Sequence, residues 1–350
     1  MAENNFLKQG INNLRKAMGT LPNQSPKLET KFYKGVEGIN VEMIDSVENP
    51  YKAMVVLATS CWGSSINKWD DLTPENRYEV VKMVLKGQAL PLALESPSFT
   101  FAIEGPSRAS FDQIARARLG VVFSAKGVRD NNWKDCAIRI PTELWPTEEE
   151  YNYFNDSFLM LKADLVKLKK IDDKIRIFEL AKDRMLAVKE LYAQIVDSGE
   201  SWQAGRFCLP MNVCYGYSLA INFMALRNMC STRMKFCEMA DTVATAWLLQ
   251  KEVAKKFPLL GSYLKPGCDN LKVCQYHRNY SLSEVFGCLF APCKRNACVA
   301  LNDYSEFATS CSDINKIEEE LGIHLERPNE WIEYNTFEIL TYSDKLLFMA

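Results

Sequence analysis

Between Ser98 and Trp133 the chain changes its apolar period twice within a short stretch, and that change limits the folds open to it. Phe99, Phe101 and Ile103 alternate with polar or small residues from Ser98 to Glu104, the period of a half-buried strand. Gly105 and Pro106 then predict a break. Ser107 or Ser110 can cap a following helix that runs to about Arg118. On such a helix Gln113 and Arg116 share a face, and Arg118 points nearly the opposite way. Guanidiniums on two sides of one helix are either solvated or held between two anionic groups.

The remainder of the chain predicts a mixed α/β protein. Residues 1–38 carry polar, Gly, Pro and Asn signals and read as an N-terminal extension, with a short helical pattern from Phe6 to Met18. Val41–Val47 and Met54–Cys61 read as strands separated by Glu48-Asn49-Pro50. Residues 74–86 form an amphipathic helix that opens on Pro74 and ends at Gly87. An irregular segment surrounds Pro141 and Pro146. Two helices follow from Thr147 to Asp197, parted at Ile171-Asp172-Asp173, and Ser198-Gly199 stops the second. A third long helix covers Leu219 to Phe257, with a break at Arg227–Thr232, and stops before Pro258. From 261 to 350 the return of Gly and Pro and a concentration of cysteine mark a separate C-terminal module.

With 350 residues the chain can bury a full core and exceeds one average domain. A net charge of -2 leaves no overall electrostatic footprint for nucleic acid or for an anionic membrane. No apolar run reaches the roughly 18 residues that a bilayer span needs. The polar N-terminus lacks the apolar core of a signal peptide, so a cytoplasmic location is expected.

The strand, the turn and the Gln-x-x-Arg-x-Arg run resemble the signature region of the flavin-dependent thymidylate synthases (the ThyX family). The motif there is Arg-His-Arg-x-x-Ser-x-Asn-Glu-x-Ser-x-Arg-Tyr after a strand with a Phe-Thr-Phe-like run. Phe99-Thr100-Phe101, Gln113, Arg116 and Arg118 match it, and Arg129 matches its last arginine after a one-residue shift. A second block, in the same order as in the family, comprises Ser198-Gly199, then Gly205 to Asn212 (GRFCLPMN), then Asn222 to Arg227 (NFMALR). The resemblance spans about residues 40–260 and implies a ThyX-like mixed sheet with long helices, the catalytic domain being 39–260.

It also implies an activity: FAD-dependent methylation of dUMP to dTMP, with methylenetetrahydrofolate as carbon donor and NADPH as reductant. Such enzymes assemble as homotetramers with sites between subunits. By resemblance, Arg227 is the cation beside the pyrimidine N3. Gln113, Arg116, Arg129 and Arg206 bind the nucleotide together with Arg227, and Arg116, Arg118 and Asn222 contact the flavin. Arginines suit this chemistry, because a phosphate accepts a bidentate guanidinium and a deprotonating N3 needs a fixed cation. Arg227 could equally make a buried helix salt bridge to Asp241 or Glu238. Cys208, with no histidine near it in sequence, is not expected to act as a nucleophile.

Several positions depart from the motif. Ala117 stands in place of its histidine, Gln88 and Leu90 replace a His and a Ser or Thr, and Arg233 and Lys235 replace a Gln and a Glu. Two alternatives therefore stand beside dTMP formation. One is C5 modification of another pyrimidine deoxynucleotide; the other is a non-catalytic nucleotide- or flavin-binding protein with a metal-stapled interaction module.

The metal expectation comes from twelve cysteines, many for a chain in a reducing compartment. Six residues cluster as Cys268-x5-Cys274-x2-His277-x10-Cys288-x4-Cys293-x4-Cys298. Thiolates and an imidazole so close together suit tetrahedral zinc, with Cys268, Cys274, Cys288 and either His277 or Cys293 as ligands. Small core cysteines are the other explanation.

Overall fold

A computed structural model describes residues 30–60, 66–157, 165–234, 238–265 and 347–348. In chain order its elements are β1 (Phe32–Lys34), β2 (Asn40–Ser46), α1 (Pro50–Thr59), α2 (Pro74–Leu85), β3 (Ser98–Ser107), α3 (Arg108–Ile114), β4 (Val121–Ala125), β5 (Ile138–Ile140), α4 (Glu148–Ser157) and α5 (Leu165–Asp197). After these come α6 (Trp202–Gly205), β6 (Cys214–Asn222), α7 (Phe223–Arg233), α8 (Ala240–Lys256) and α9 (Pro258–Ser262). Among the described residues this is the expected mixed α/β architecture.

An antiparallel sheet in the order β2-β3-β6-β4 forms the centre. The alternation in β3 puts Phe99, Phe101 and Ile103 on one face, and all three are buried. The register sets Phe101 opposite Leu219 and Ile103 opposite Tyr217, so β6 extends the same apolar face. Helix α8 packs across β2 and β3 on that side. The other face carries small or polar residues such as Thr100, Ala102 and Ser218, as expected for an antiparallel sheet covered on one side.

Gly105-Pro106 does not end β3. The strand continues to Ser107 through a register shift between Glu104 and Ser107. Gly105 takes φ +93° there, and a Cβ on it would lie 2.2 Å from the Gly38 carbonyl oxygen. This is a bulge that only glycine fits. The buried Arg139 on β5 fixes it, donating to the carbonyls of Gly35, of Glu37 (2.8 Å) and of Gly105 (2.6 Å). β5 pairs in parallel with β1, which lies inside the 1–38 stretch.

The segment expected as a strand at Met54–Cys61 is helical through Thr59. Asn49 accepts a hydrogen bond from the Tyr51 N–H at 3.0 Å, and Pro50 takes the first helical turn. Tyr51, Met54, Val55 and Ala58 are then buried at helical spacing. The Pro50 signal marked a helix start, not a hairpin turn. The expected helix over Leu219–Phe257 is likewise divided. Leu219–Asn222 completes β6, where strand pairing outweighs helical periodicity, and the helices are α7 and α8. The separation falls after Arg233, not at Arg227–Thr232. Helix α5 runs unbroken through Ile171-Asp172-Asp173, because Ile171 and Phe178 are both buried on one side.

Three polar contacts join the end of β3 to the start of α8. The buried Asp241 accepts from the Ser107 N–H at 3.0 Å. The Ser107 hydroxyl oxygen caps α3 by accepting from the Ser110 N–H at 3.1 Å. The Thr242 hydroxyl donates to the Ser110 hydroxyl at 2.9 Å. Far along the chain, Phe348 packs against Tyr51 at 4.5 Å between ring centroids, and against Trp69 and Tyr78. Arg77 lies over the Trp69 ring and donates to the Phe348 carbonyl at 2.7 Å.

Asp241→Ala strips a buried N–H of its acceptor and is expected to cost about 1–3 kcal/mol, read by urea unfolding. A loss below about 0.5 kcal/mol would mean that Ser107 is held otherwise. Phe348→Ala empties a wholly buried ring site, with an expected loss of about 3–5 kcal/mol in the same assay. Unchanged stability would show that the tail contributes nothing to the core.

Candidate functional site

The capped helix α3 is shorter than its sequence suggests. It ends at Ile114, and Arg116 and Arg118 lie in the turn beyond it. The helical-face argument for Gln113 and Arg116 therefore does not apply. Even so, the turn brings Gln113, Arg116 and Arg118 onto one cleft of about 450 Å³. Arg118 does not point away from the other two.

The turn is held at its far end by Asn222. The Asn222 N–H donates to the Gly120 carbonyl at 3.0 Å. Gly120 adopts φ +68°, and a Cβ there would meet the Asn222 side chain at 2.3 Å. The Asn222 side-chain oxygen caps α7 by accepting from the Ala225 N–H at 2.8 Å. Helix α7 then lays Ala225, Asn228, Met229, Thr232 and Arg233 along the cleft, the spacing of one helical face. Sequence reasoning passes over Asn228 and Thr232. Their four-residue spacing downstream of a capping asparagine is the signal that marks them.

The cleft is asymmetric in charge. Arg233 is neutralised by Glu238 at 2.7 Å and donates to the Gln113 carbonyl at 3.0 Å, so it ties α7 to α3. Arg116 and Arg118 are exposed and have no hydrogen bond or ion pair among the described residues. Ile114, Leu119 and Met229 supply apolar wall. Two uncommitted guanidiniums beside an apolar wall suit a ligand with an anionic end and a flat apolar body.

The other sequence-predicted residues lie elsewhere on the chain. Arg227 is two residues beyond Ala225, so it projects from the opposite side of α7 to the cleft. It is half-buried, and burial pulls its guanidinium pKa below the ordinary arginine value, an effect partly offset by Tyr263. The salt bridges considered for it are not made. Asp241 accepts from Ser107, and Glu238 pairs with Arg233. Arg206 sits in the turn before β6 with its guanidinium 5.5 Å from the Phe207 ring centroid. Arg129 is largely exposed in the loop after β4, with Asp130 at 3.7 Å. The Lys126 N–H of that loop donates to the Gly216 carbonyl near the start of β6. Arg206 and Arg129 are thus placed toward the end of β6 opposite to Asn222, and a nine-residue strand spans about 30 Å.

Among the described residues no group of three or more His, Cys, Asp or Glu could hold a metal ion. The expected ligands Cys268, Cys274, His277, Cys288 and Cys293 lie outside the described residues. Cys208, half-buried and packed on the core, is a free thiol. No helix among the described residues is long and apolar enough to cross a membrane.

Comparison with known proteins converges on one group. A family model described as thymidylate synthase complementing protein matches residues 42–259, well over half of the chain. The flavin-dependent thymidylate synthase of Pyrococcus abyssi (strain GE5 / Orsay) is 23% identical over 231 residues, covering 62% of this chain and 84% of that protein. A UMP/dUMP methylase, PolB from Streptomyces cacaoi, solved with 5-Br dUMP, shares the fold. Its TM-score is 0.50 at 17% identity, over 67% of this chain and 96% of that one. The matched span begins in β2, takes in both arginine blocks and the cleft between α3 and α7, and ends in α9; the chain belongs to the thymidylate synthase complementing protein family, as a divergent member of these flavin-dependent thymidylate synthase-like methyltransferases.

Proposed function

We propose that the chain binds FAD and a pyrimidine deoxynucleotide and converts dUMP to dTMP, with methylenetetrahydrofolate as carbon donor and NADPH as reductant. The observation that carries this reading is the pair of uncommitted guanidiniums, Arg116 and Arg118, at the mouth of a cleft backed by Gln113 and α7. These residues fit a flavin: cations for its diphosphate, and Ile114, Leu119 and Met229 beside them as apolar surface. The flavin, when bound, supplies the redox chemistry of the reaction.

The chain's own residues bind, orient and polarise. Gln113, Arg116, Arg129 and Arg206 take the nucleotide, and Arg118 and Asn222 take the flavin together with Arg116. Arg227 is half-buried and has no counter-ion among the described residues, so its guanidinium is open to an anionic partner. Placed beside the pyrimidine N3, a fixed cation stabilises the ring as N3 gives up its proton and makes C5 more nucleophilic. Arg227 and the cleft face opposite ways on α7, and Arg206 and Arg129 lie far along β6. A single chain does not gather them, which supports a site completed between copies in a homotetramer. The division into an extension at 1–38, a catalytic domain at 39–260 and a cysteine-rich module at 261–350, with zinc on Cys268, Cys274, Cys288 and His277 or Cys293, belongs to the same proposal.

A second reading keeps the fold and changes the base or sugar accepted. Its support is Arg233 in the cleft wall, already paired with Glu238, and Ala117 in the place of a ring donor. The Streptomyces protein of similar fold is itself described as acting on UMP and dUMP.

Freshly purified protein is expected to show a flavin absorption spectrum that bleaches with NADPH under anaerobic conditions. A colourless protein that takes up no added FAD would overturn the enzyme reading. Arg227→Ala should retain the flavin and lose turnover by about 100- to 1000-fold, the scale of one lost electrostatic contact in a transition state. Loss of the fold instead would make Arg227 structural. Arg116→Ala and Arg118→Ala should each weaken flavin binding by about tenfold or more, measured by spectral titration. Unchanged affinity in both would move the flavin away from this cleft.

A further inference from the structure

Helix α5 carries a second apolar stripe that lies exposed among the described residues. Its inner side, Ile171, Phe178, Tyr192 and Ala193, is buried. On the outer side Val166, Ile177, Leu180 and Leu191 are 72%, 47%, 52% and 47% exposed, and Ala187 is also exposed. At about 100° per residue these positions, with Lys170, Asp173 and Arg184, fall in one stripe about 100° wide. Their spacing alternates three and four, the heptad pattern of a helix that packs along another helix. The stripe runs for about 37 Å. The contacts of α4 with α5, which include Lys174–Glu150 and Lys167 over the Tyr153 ring, lie on the other side.

We propose that α5 pairs antiparallel with α5 of a second copy of this chain, about a twofold axis passing between positions 178 and 179. The sequence of the stripe is self-complementary in that register. Ile177 meets Leu180 of the second copy and Val166 meets Leu191, with the twofold repeating each contact. Asp173 meets Arg184, and Lys170 meets the small Ala187. The flanking positions match as well: Arg176 lies toward Asp183 of the second copy, and Lys169 toward Glu190. All four of these flanking residues are exposed. Within one chain Arg176 already reaches Asp173 at 3.2 Å, so in the pair Asp173 sits between two guanidiniums.

A parallel pairing would place Asp173 on Asp173 and Arg184 on Arg184, and repulsion excludes it. Polar residues within an apolar seam fix its register at some cost in stability, as Asp173 and Arg184 do here. The proposal gives the oligomer invoked above one of its surfaces. It rests on the exposed stripe and its charges, not on the chemistry of the cleft, and its test reads association alone.

The test is sedimentation equilibrium of the full chain and of charge variants on this stripe. Wild type is expected to exceed monomer mass. Asp173→Arg and Arg184→Asp should each weaken that association at least tenfold or halve the mass of the assembly. The double variant, which restores opposite charges across the twofold, should return to within about threefold of wild type. Ile177→Glu should dissociate the pair with unchanged far-ultraviolet circular dichroism. A monomeric wild type, single variants that associate as wild type does, or a double variant that fails to recover would each overturn the proposal. The first two results would leave the stripe to residues 266–346 or to another protein.

Discussion

The buried carboxylate of Asp241 is the contact on which the arrangement of the cleft depends. It meets the Ser107 N–H where β3 ends, at the first turn of α8, where an acidic side chain also suits the helix dipole. Ser107 in turn caps α3, and Thr242 reaches Ser110 one turn on. The end of a central strand, a short helix and a core helix are therefore locked at one point. The turn bearing Arg116 and Arg118 starts one short helix away from that lock and is closed at its other end by Asn222 and Gly120. Both ends of the arginine turn are held by buried or half-buried polar contacts, while its guanidiniums remain in solvent. Such a division, a rigid backbone beneath free charges, is what a preorganised anion site requires.

The arginines of the chain divide by what surrounds them. Arg139 and Arg77 are buried and saturated with backbone carbonyls, so they staple the fold. Arg233 is spent on Glu238 and on the Gln113 carbonyl. Arg116, Arg118 and Arg227 are left without such partners among the described residues. Desolvating a guanidinium without a counter-charge is unfavourable, and a half-buried one such as Arg227 is retained at that cost. The distinction between structural and available cations follows from burial and partners, not from residue type.

Much of this was legible from local patterns. The alternation of β3, the helix from Pro74 to Gly87, and the helical stop at Ser198-Gly199 all depend on near neighbours, and the structure keeps them. The order of the two arginine blocks carried the family. Misread segments were those in which one apolar run suits either period. Met54–Thr59 became a helix because Asn49 and Pro50 cap it, and Leu219–Asn222 became a strand because β3 and β4 flank it.

The sequence by itself determined the class of fold, the family and the order of the two arginine blocks, because those reside in periodicity and in short ordered motifs. Tertiary structure alone decided which of them meet. It folded Arg116 and Arg118 back onto Gln113 after α3 stopped at Ile114, and it turned Arg227 to the far side of α7. It took Asp241 and Glu238 away from Arg227. It also left the outer stripe of α5 uncovered among the described residues. Each outcome is set by long-range competition for hydrogen-bond partners and buried area, which no local stretch of sequence encodes.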